Sequence, residues 1–263
     1  MPRSLRLLAT STVCMLLSLL SPAWAEQPTA SEWQATRSIA AAEANQAAAA
    51  DEKHLYAIDN RVVAKYDRQT GQRIAVSTGE AHHLNSGFFL NGKLYCAHSN
   101  YPRTPELSEI KVLDVETMKL TTFKDFGDYG GSLTWAIHHE NHWWCNFAKY
   151  GKQNAETFLV QFDHDWKEIA RWTYAPEVIE QLGTYSLSGG VWREGALLTT
   201  DHDHRRLYRL RLPKLGQPIE LVQIEKSPFT GQGIASDPVT GGLIGIDRSK
   251  NTLLLSEPKR EQP

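Results

Sequence analysis

Five histidines sit in short polar segments that could move protons. The segments are His82-His83-Leu84-Asn85, His98-Ser99-Asn100-Tyr101-Pro102-Arg103 and Asp201-His202-Asp203-His204-Arg205. A fourth segment, Asp247-Arg248-Ser249-Lys250, adds a carboxylate and a guanidinium. An imidazole beside a carboxylate titrates near neutral pH and serves as acid or base. His98 with Asp201 or Asp247, and His202 with Asp247, are the pairings of that kind, and these four are the candidate catalytic residues. Arg103 and Arg248 could grip a carboxylate or phosphate with a planar fork. His83, Asn85, Asn100, Tyr101, Lys149, Ser188, Asp203 and Gln232 complete the candidate substrate contacts. A ring of His, Asp, Asn and Gln is also how a divalent metal could be held. No HExxH spacing occurs, so a metal site here would be assembled from distant segments. The competing structural reading is plain: Asp at a strand end often caps a turn with its own backbone, and Asp201-His202-Asp203-His204 then reads as a charged loop. A serine nucleophile is poorly supported, because Ser188-Gly189-Gly190 lacks the G-x-S-x-G elbow.

What brings these segments together is a repeat. HLYAID at 54–59, KLYCAH at 93–98, HWWCNF at 142–147, ALLTTD at 196–201 and GLIGID at 242–247 are apolar strands, four of which end in a polar residue. Each is followed by a second strand: VAKYD, IKVLD, LVQFD, LYRLR and LLLSE. The anchors Leu55, Leu94, Trp143, Leu197 and Leu243 are separated by 39, 49, 54 and 46 residues. A period of roughly 40–50 residues built from short strands marks a β-propeller, here all-β with five blades. Inner strands rich in Gly, Ala and Ser precede each anchor, at 43–50, 84–90, 132–138, 187–193 and 231–237. Bulky side chains would collide there, near the axis. Asn91-Gly92 and Glu194-Gly195 are hairpin signals linking inner strand to anchor strand. RIAVST, LTTFKD, EIARWTY and IELVQIE supply outer strands for blades one to four. Blade five lacks one. SEWQATRSI at 31–39 is therefore expected to cross over and close the ring, although AAAEANQAAAA also has high helix propensity.

In such a blade the loop entering the first strand and the loop between the second and third emerge on one face. The His82, Asp128, Tyr185 and Thr230 entry loops then share a mouth with the Asp59, His98, Lys149, Asp201 and Asp247 loops. Trp33, Trp135, Trp143, Trp144, Trp166, Trp172 and Trp192 lie mostly inside strands and are expected to wedge between blades.

The first 25 residues read as an export leader. Arg3 and Arg6 precede the apolar LLATSTVCMLLSLL, and Ala23-Trp24-Ala25 is a small-x-small cleavage site before Glu26. A periplasmic or extracellular, monomeric domain over 26–259 with a charged tail at 260–263 is the expectation. About 238 residues remain, enough for one all-β domain. The net charge of −2 with scattered basic residues excludes a nucleic-acid footprint, and no later segment reaches the ~18 apolar residues of a membrane helix. Cys96 and Cys145 occupy equivalent positions in neighbouring blades. Their side chains then point the same way around the ring, unlike a disulfide pair, so free buried thiols are expected.

AHSNYP (97–102), SLSGGVW (186–192), DHDHRRLYRLRLP (201–213), GQGIASD (231–237) and GIDR (245–248) are similar to a family of exported bacterial five-bladed propellers loosely labelled cycloisomerase-like. The resemblance covers most of the mature chain. It implies a site at His98, Asn100, Tyr101, His202, Asp203, Gln232, Asp247 and Arg248, with Asp201 standing where the family pattern has Gly. Bacterial and plant glutaminyl cyclases share the five-bladed form, but their acidic signature loops are not found here. Gluconolactonase-type lactonases use six blades and a calcium held by Glu, Asn and Asp.

The functional expectation is an exported enzyme acting on a small polar molecule, such as a sugar acid or lactone. The chemistry would be that of a lyase, isomerase or hydrolase, with His98 and His202 moving protons. A non-catalytic carbohydrate- or peptide-binding module built on Tyr101, Tyr129, Tyr150 and Tyr185 is the alternative. One propeller frame hosts both.

Overall fold

Small residues decide how closely the inner strands approach the axis. Ala47–Ala50 is buried along its whole length, and a Cβ added to Gly233 would lie 2.5 Å from the Ala47 Cβ. A Cβ on Gly189 would meet the Ile234 amide nitrogen at 2.7 Å. Larger side chains in this belt would force the strands apart. The computed structural model describes residues 32–259; the leader read over 1–25 and the tail at 260–263 lie outside the described residues.

Five four-stranded antiparallel sheets form the blades of a five-bladed β-propeller. Blade one contains Ala47–Ala50, His54–Ile58, Val63–Asp67 and Arg73–Val76. Blade two contains His83–Leu90, Lys93–Ser99, Ser108–Asp114 and Lys119–Gly127, and blade three Ser132–His139, His142–Ala148, Phe158–Phe162 and Glu168–Thr173. Blade four contains Gly189–Arg193, Ala196–Thr200, Arg206–Arg211 and Glu220–Lys226. In blade five Ala235–Ser236, Leu243–Asp247 and Thr252–Pro258 are joined by Trp33–Ala40 as the outer strand. That N-terminal strand pairs antiparallel from Trp33 opposite Pro258 to Ala40 opposite Thr252. Closure leaves no unpaired terminal blade for another chain to extend. The anchors Leu55, Leu94, Trp143, Leu197 and Leu243 are all buried.

Two inner strands are shorter than their sequence segments. Residues 43–45 form a turn, with the Ala44 amide donating to the Ala41 carbonyl at 3.0 Å, so blade one begins at Ala47. In blade five Gln232 adopts a left-handed backbone (φ 69°). The next residue, Gly233, turns to the neighbouring blade instead, its amide donating to the Gln46 carbonyl at 2.9 Å. This sideways bond couples the first and last blades at the axis.

A helix that the strand repeat does not announce, Pro176–Leu182, follows the outer strand of blade three. Pro occupies its first turn, where a missing N–H costs nothing, and Val178 and Leu182, four apart, bury one face. It ends at Gly183, whose carbonyl accepts from Asn154 Nδ2 at 2.6 Å. The Gly151 amide donates to the Thr184 carbonyl at 2.8 Å. These bonds fix the segment that carries Tyr185.

Inter-blade contacts are aromatic and ionic. Trp33, Trp135, Trp143, Trp144 and Trp172 are buried, while Trp166 and Trp192 are half-buried. Arg68 of blade one pairs with the buried Asp237 of blade five at 2.6 Å. Cys96 and Cys145 are free and buried, and burial pushes the Cys96 thiol up to about 12. Such thiols are poor nucleophiles.

Candidate active site at the axial cavity

Each blade contributes one polar residue at or beside the mouth end of its inner strand. Gln46, Asn85, Thr134, Ser188 and Gln232 form a ring around a cavity of about 510 Å3. That volume lies within the ~300–1,000 Å3 typical of small-molecule sites. Three of these side chains also tie the ring together. Asn85 Nδ2 donates to the Leu133 carbonyl at 3.0 Å, Thr134 Oγ1 to the Leu187 carbonyl at 2.7 Å and Gln232 Nε2 to the His202 carbonyl at 2.9 Å. Above the ring the walls carry Asn60 and Arg61 from blade one, His82, His83, Tyr101 and Pro102 from blade two, and Tyr150 from blade three. Tyr185, Ser186, His202 and Arg248 complete them from the last two blades.

His202 is held from three sides. Its ring stacks on Tyr185 with centroids 3.9 Å apart and planes 10° from parallel. Nδ1 contacts Asp203 Oδ1 at 2.7 Å, so the carboxylate fixes the proton on that nitrogen. Nε2 is then the basic atom, and it lies 3.5 Å from Arg248 Nη1. Arg248 is oriented by its Nε, which donates to Asn45 Oδ1 at 2.9 Å. The loop beneath is clamped by Gln232, whose amide donates to the Asp201 carbonyl at 2.8 Å. On the opposite wall Tyr101 lies between His83 and Tyr150, at 5.3 and 5.0 Å. Burial first, then the neighbouring Arg248 and His202, hold the His83 imidazole below its usual pKa against the pull of Asp59.

Of the residues expected at the site, His202, His83, Asn85, Tyr101, Ser188, Gln232 and Arg248 line this cavity. Asp203 does not line it, but supports His202. The other three catalytic candidates are placed elsewhere. Asp201 is buried and caps its own loop, accepting from the His204 amide at 2.8 Å, the Tyr208 hydroxyl at 2.6 Å and His204 Nδ1 at 2.5 Å. Asp247 is likewise buried, accepting from Ser249 Oγ at 2.6 Å and pairing with Arg205 at 2.9 Å. Neither pairs with His98 or His202. Both follow the turn-capping rule for Asp at a strand end.

His98 points into the blade rather than the mouth. Its Nε2 accepts from the His82 amide at 2.9 Å. Its Nδ1 therefore carries the proton, 3.0 Å from Glu109 Oε2 but not aligned for a hydrogen bond. Asn100 staples its own loop, donating to the Pro105 carbonyl and accepting from the Leu107 amide, both at 2.9 Å. Arg103 is exposed, and Lys149 lies 3.6 Å from Glu106. Among the described residues no three His, Cys, Asp or Glu side chains converge as a metal site would require. His138 and His142, at an i,i+4 spacing, flank a hairpin at the far end of the axis. A second cavity there, about 250 Å3, is walled by Phe88, Ile137, Val191 and Trp192 and has no carboxylate or guanidinium lining it.

The burial of His98 has a measurable consequence. Burial first, and Lys111 second, lower its pKa to about 4, with Glu109 opposing and His82 and His83 adding to the shift. In the unfolded chain the group titrates near ~6.5. Between these values the unfolded chain binds more protons, so stability falls as pH drops through this window and is fully present above it. Equilibrium denaturation from pH 7 to 4 should show a loss of a few kcal/mol. In His98→Gln, whose side-chain oxygen can still accept from the His82 amide, the profile should flatten. Parallel profiles for the two proteins would refute the assignment.

No protein-family model matches the chain, and no curated protein matches it. Among solved structures, a glutaminyl cyclase from Myxococcus xanthus matches with a TM-score of 0.59 at 10% identity. The match covers 86% of this chain and 95% of that chain. This likeness shows the fold. The neighbour is named for its enzymatic activity, and a propeller frame by itself hosts many unrelated functions. The cycloisomerase-like resemblance rests on the sequence motifs alone.

Proposed function

We propose that the protein is an exported enzyme acting on a small polar metabolite in the axial cavity, with His202 moving the proton. The observation that carries this reading is the arrangement of His202. One ring nitrogen is fixed by Asp203 at 2.7 Å, and the other faces the Arg248 guanidinium at the cavity wall. A carboxylate-oriented imidazole whose other nitrogen takes only a long contact from Arg248, which a substrate would displace, is suited to act as a general base. Lyase, isomerase and hydrolase reactions each need such a transfer. Ser188, Asn85 and Gln232 would orient substrate hydroxyls, and Arg248 would hold charge that develops beside His202. His98, Asp201 and Asp247 take no part in this scheme.

The test is product formation. Purified mature protein incubated with sugar acids and lactones, followed by proton NMR, should consume at least one of them. Ser188→Trp, which fills the cavity, should abolish that turnover. Saturable binding without product would favour the second reading, a carbohydrate-binding module, for which the tyrosines Tyr101, Tyr150 and Tyr185 on the wall are the supporting observation. Tyr129 does not contribute to it, because its ring packs on Phe147 at 4.7 Å.

A further inference from the structure

Guanidinium groups that gather at a concave polar site without a carboxylate beside them leave it with an uncompensated positive field. Arg248, half-buried, and Arg61, exposed at the rim, both line the axial cavity, which has no Asp or Glu on its wall. Neither forms an ion pair among the described residues. The nearby carboxylates are engaged elsewhere. Asp59 accepts from Asn45 Nδ2 at 3.1 Å, Asp203 holds His202, and Asp247 pairs with Arg205 at 2.9 Å. Arg248 has its Nε committed to Asn45, which leaves its Nη side toward the cavity. A concave site with one sign of charge focuses its field on an incoming anion.

The floor of the cavity has the opposite character. The side-chain NH2 groups of Gln46, Asn85 and Gln232 each donate one bond, to Asn60 Oδ1 and to the Leu133 and His202 carbonyls, which fixes the orientation of the three amides. Their amide oxygens remain as acceptors, able to receive hydroxyl protons.

We infer that the ligand of this cavity is a small hydroxylated carboxylate, its carboxylate held by Arg61 and Arg248 and its hydroxyls by the amide oxygens of Gln46, Asn85 and Gln232. This deepens the proposed function, resting on the axial cavity being the working site, and it separates sugar acids from uncharged lactones. The carboxylate on Arg248 would lie next to His202 Nε2, so the carbons nearest the charged group are those within reach of the base.

Calorimetry at pH 7 and constant ionic strength tests it, with D-gluconate and D-glucuronate as probes and D-glucitol and D-glucose as their uncharged counterparts. At least one acid should bind saturably, and its counterpart at least about tenfold more weakly. Arg248→Gln and Arg61→Gln should each weaken the acid by roughly ten- to a hundredfold, the value of a charge-assisted hydrogen bond. Arg248→Lys keeps the charge without the fork and should fall between. It also guards against a folding defect in the glutamine variant, since unfolding midpoints of all four proteins are read in parallel. The inference is overturned if neither acid binds more tightly than its counterpart, if inorganic phosphate binds and the acids do not, or if the glutamine variants bind as the parent does. The two proposals fail separately. Arginine-dependent binding of the acids without any product would sink the enzymatic reading alone. His202-dependent turnover of a neutral lactone that survives both arginine substitutions would sink this inference alone.

Discussion

His202→Asn is expected to lower turnover by about 10²–10⁴-fold, the usual worth of a positioned general base, while leaving the fold intact. The side chain is only partly buried and its loop is held by backbone bonds from Gln232 rather than by the imidazole. Asp203→Asn should cost nearly as much by a different route. An asparagine can present its NH2 to Nδ1, which then becomes the acceptor and leaves the proton on Nε2. A histidine in that tautomer cannot take a proton at the cavity. His98→Gln should leave the rate of the chemical step unchanged, because His98 is absent from the cavity wall and spends Nε2 on the His82 amide. Steady-state rates on a substrate found by product NMR check all three. Retention of more than about a tenth of the parent rate in His202→Asn would exclude the base assignment. The pairing of variants also guards against a general effect of removing histidines from this end of the molecule.

The two histidines show what sequence can and cannot say about such a site. The repeat places both at the ends of equivalent loops on one face, and that placement is correct to the level of the loop. It does not say which way a side chain turns. His98 is the last inward residue of a strand with a buried register, Lys93–Ser99, and follows that register into the blade. His202 lies two residues beyond its strand, Ala196–Thr200, where the chain is free to turn toward the axis. Asp201 and Asp247 are strand-end residues too, and their carboxylates satisfy loop amides and hydroxyls before any ligand can compete. Gln46 and Thr134 were hidden for a related reason. They lie where inner strands meet the cavity, and their exposure depends on how five strands converge, which no single segment encodes. Tyr185 reaches the cavity because an unannounced helix carries its segment there. The ring closure, by contrast, was legible, because a missing outer strand and a spare segment at the other end of the chain complete each other.

That closure supplies the largest expected effect on stability. Trp33 stands at the start of the closing strand, and its indole N–H donates to Glu225 Oε2 of blade four at 2.7 Å. Glu225 is fully buried and its other oxygen accepts from Arg209 Nε at 2.7 Å. The carboxylate thus serves both the closing strand and the neighbouring blade. Glu225→Ala removes both bonds at once and leaves a guanidinium almost sealed from water, with only Glu194 at 3.7 Å to offset it. Breaking a buried pair from one side costs about 3–5 kcal/mol, and each kcal/mol is worth roughly 2–4 °C in a domain of this size. Glu225→Gln should be nearly as harmful, since an amide can still accept from Trp33 but carries no charge for Arg209. Trp33→Phe keeps the ion pair and loses one hydrogen bond to a charged group, about 1.5–3 kcal/mol. The predicted order of unfolding midpoints is therefore parent, Trp33→Phe, then the two Glu225 variants. If the Glu225 variants unfold within about 1 kcal/mol of the parent, the ring is held closed by the strand's backbone ladder alone and the ion pair is incidental.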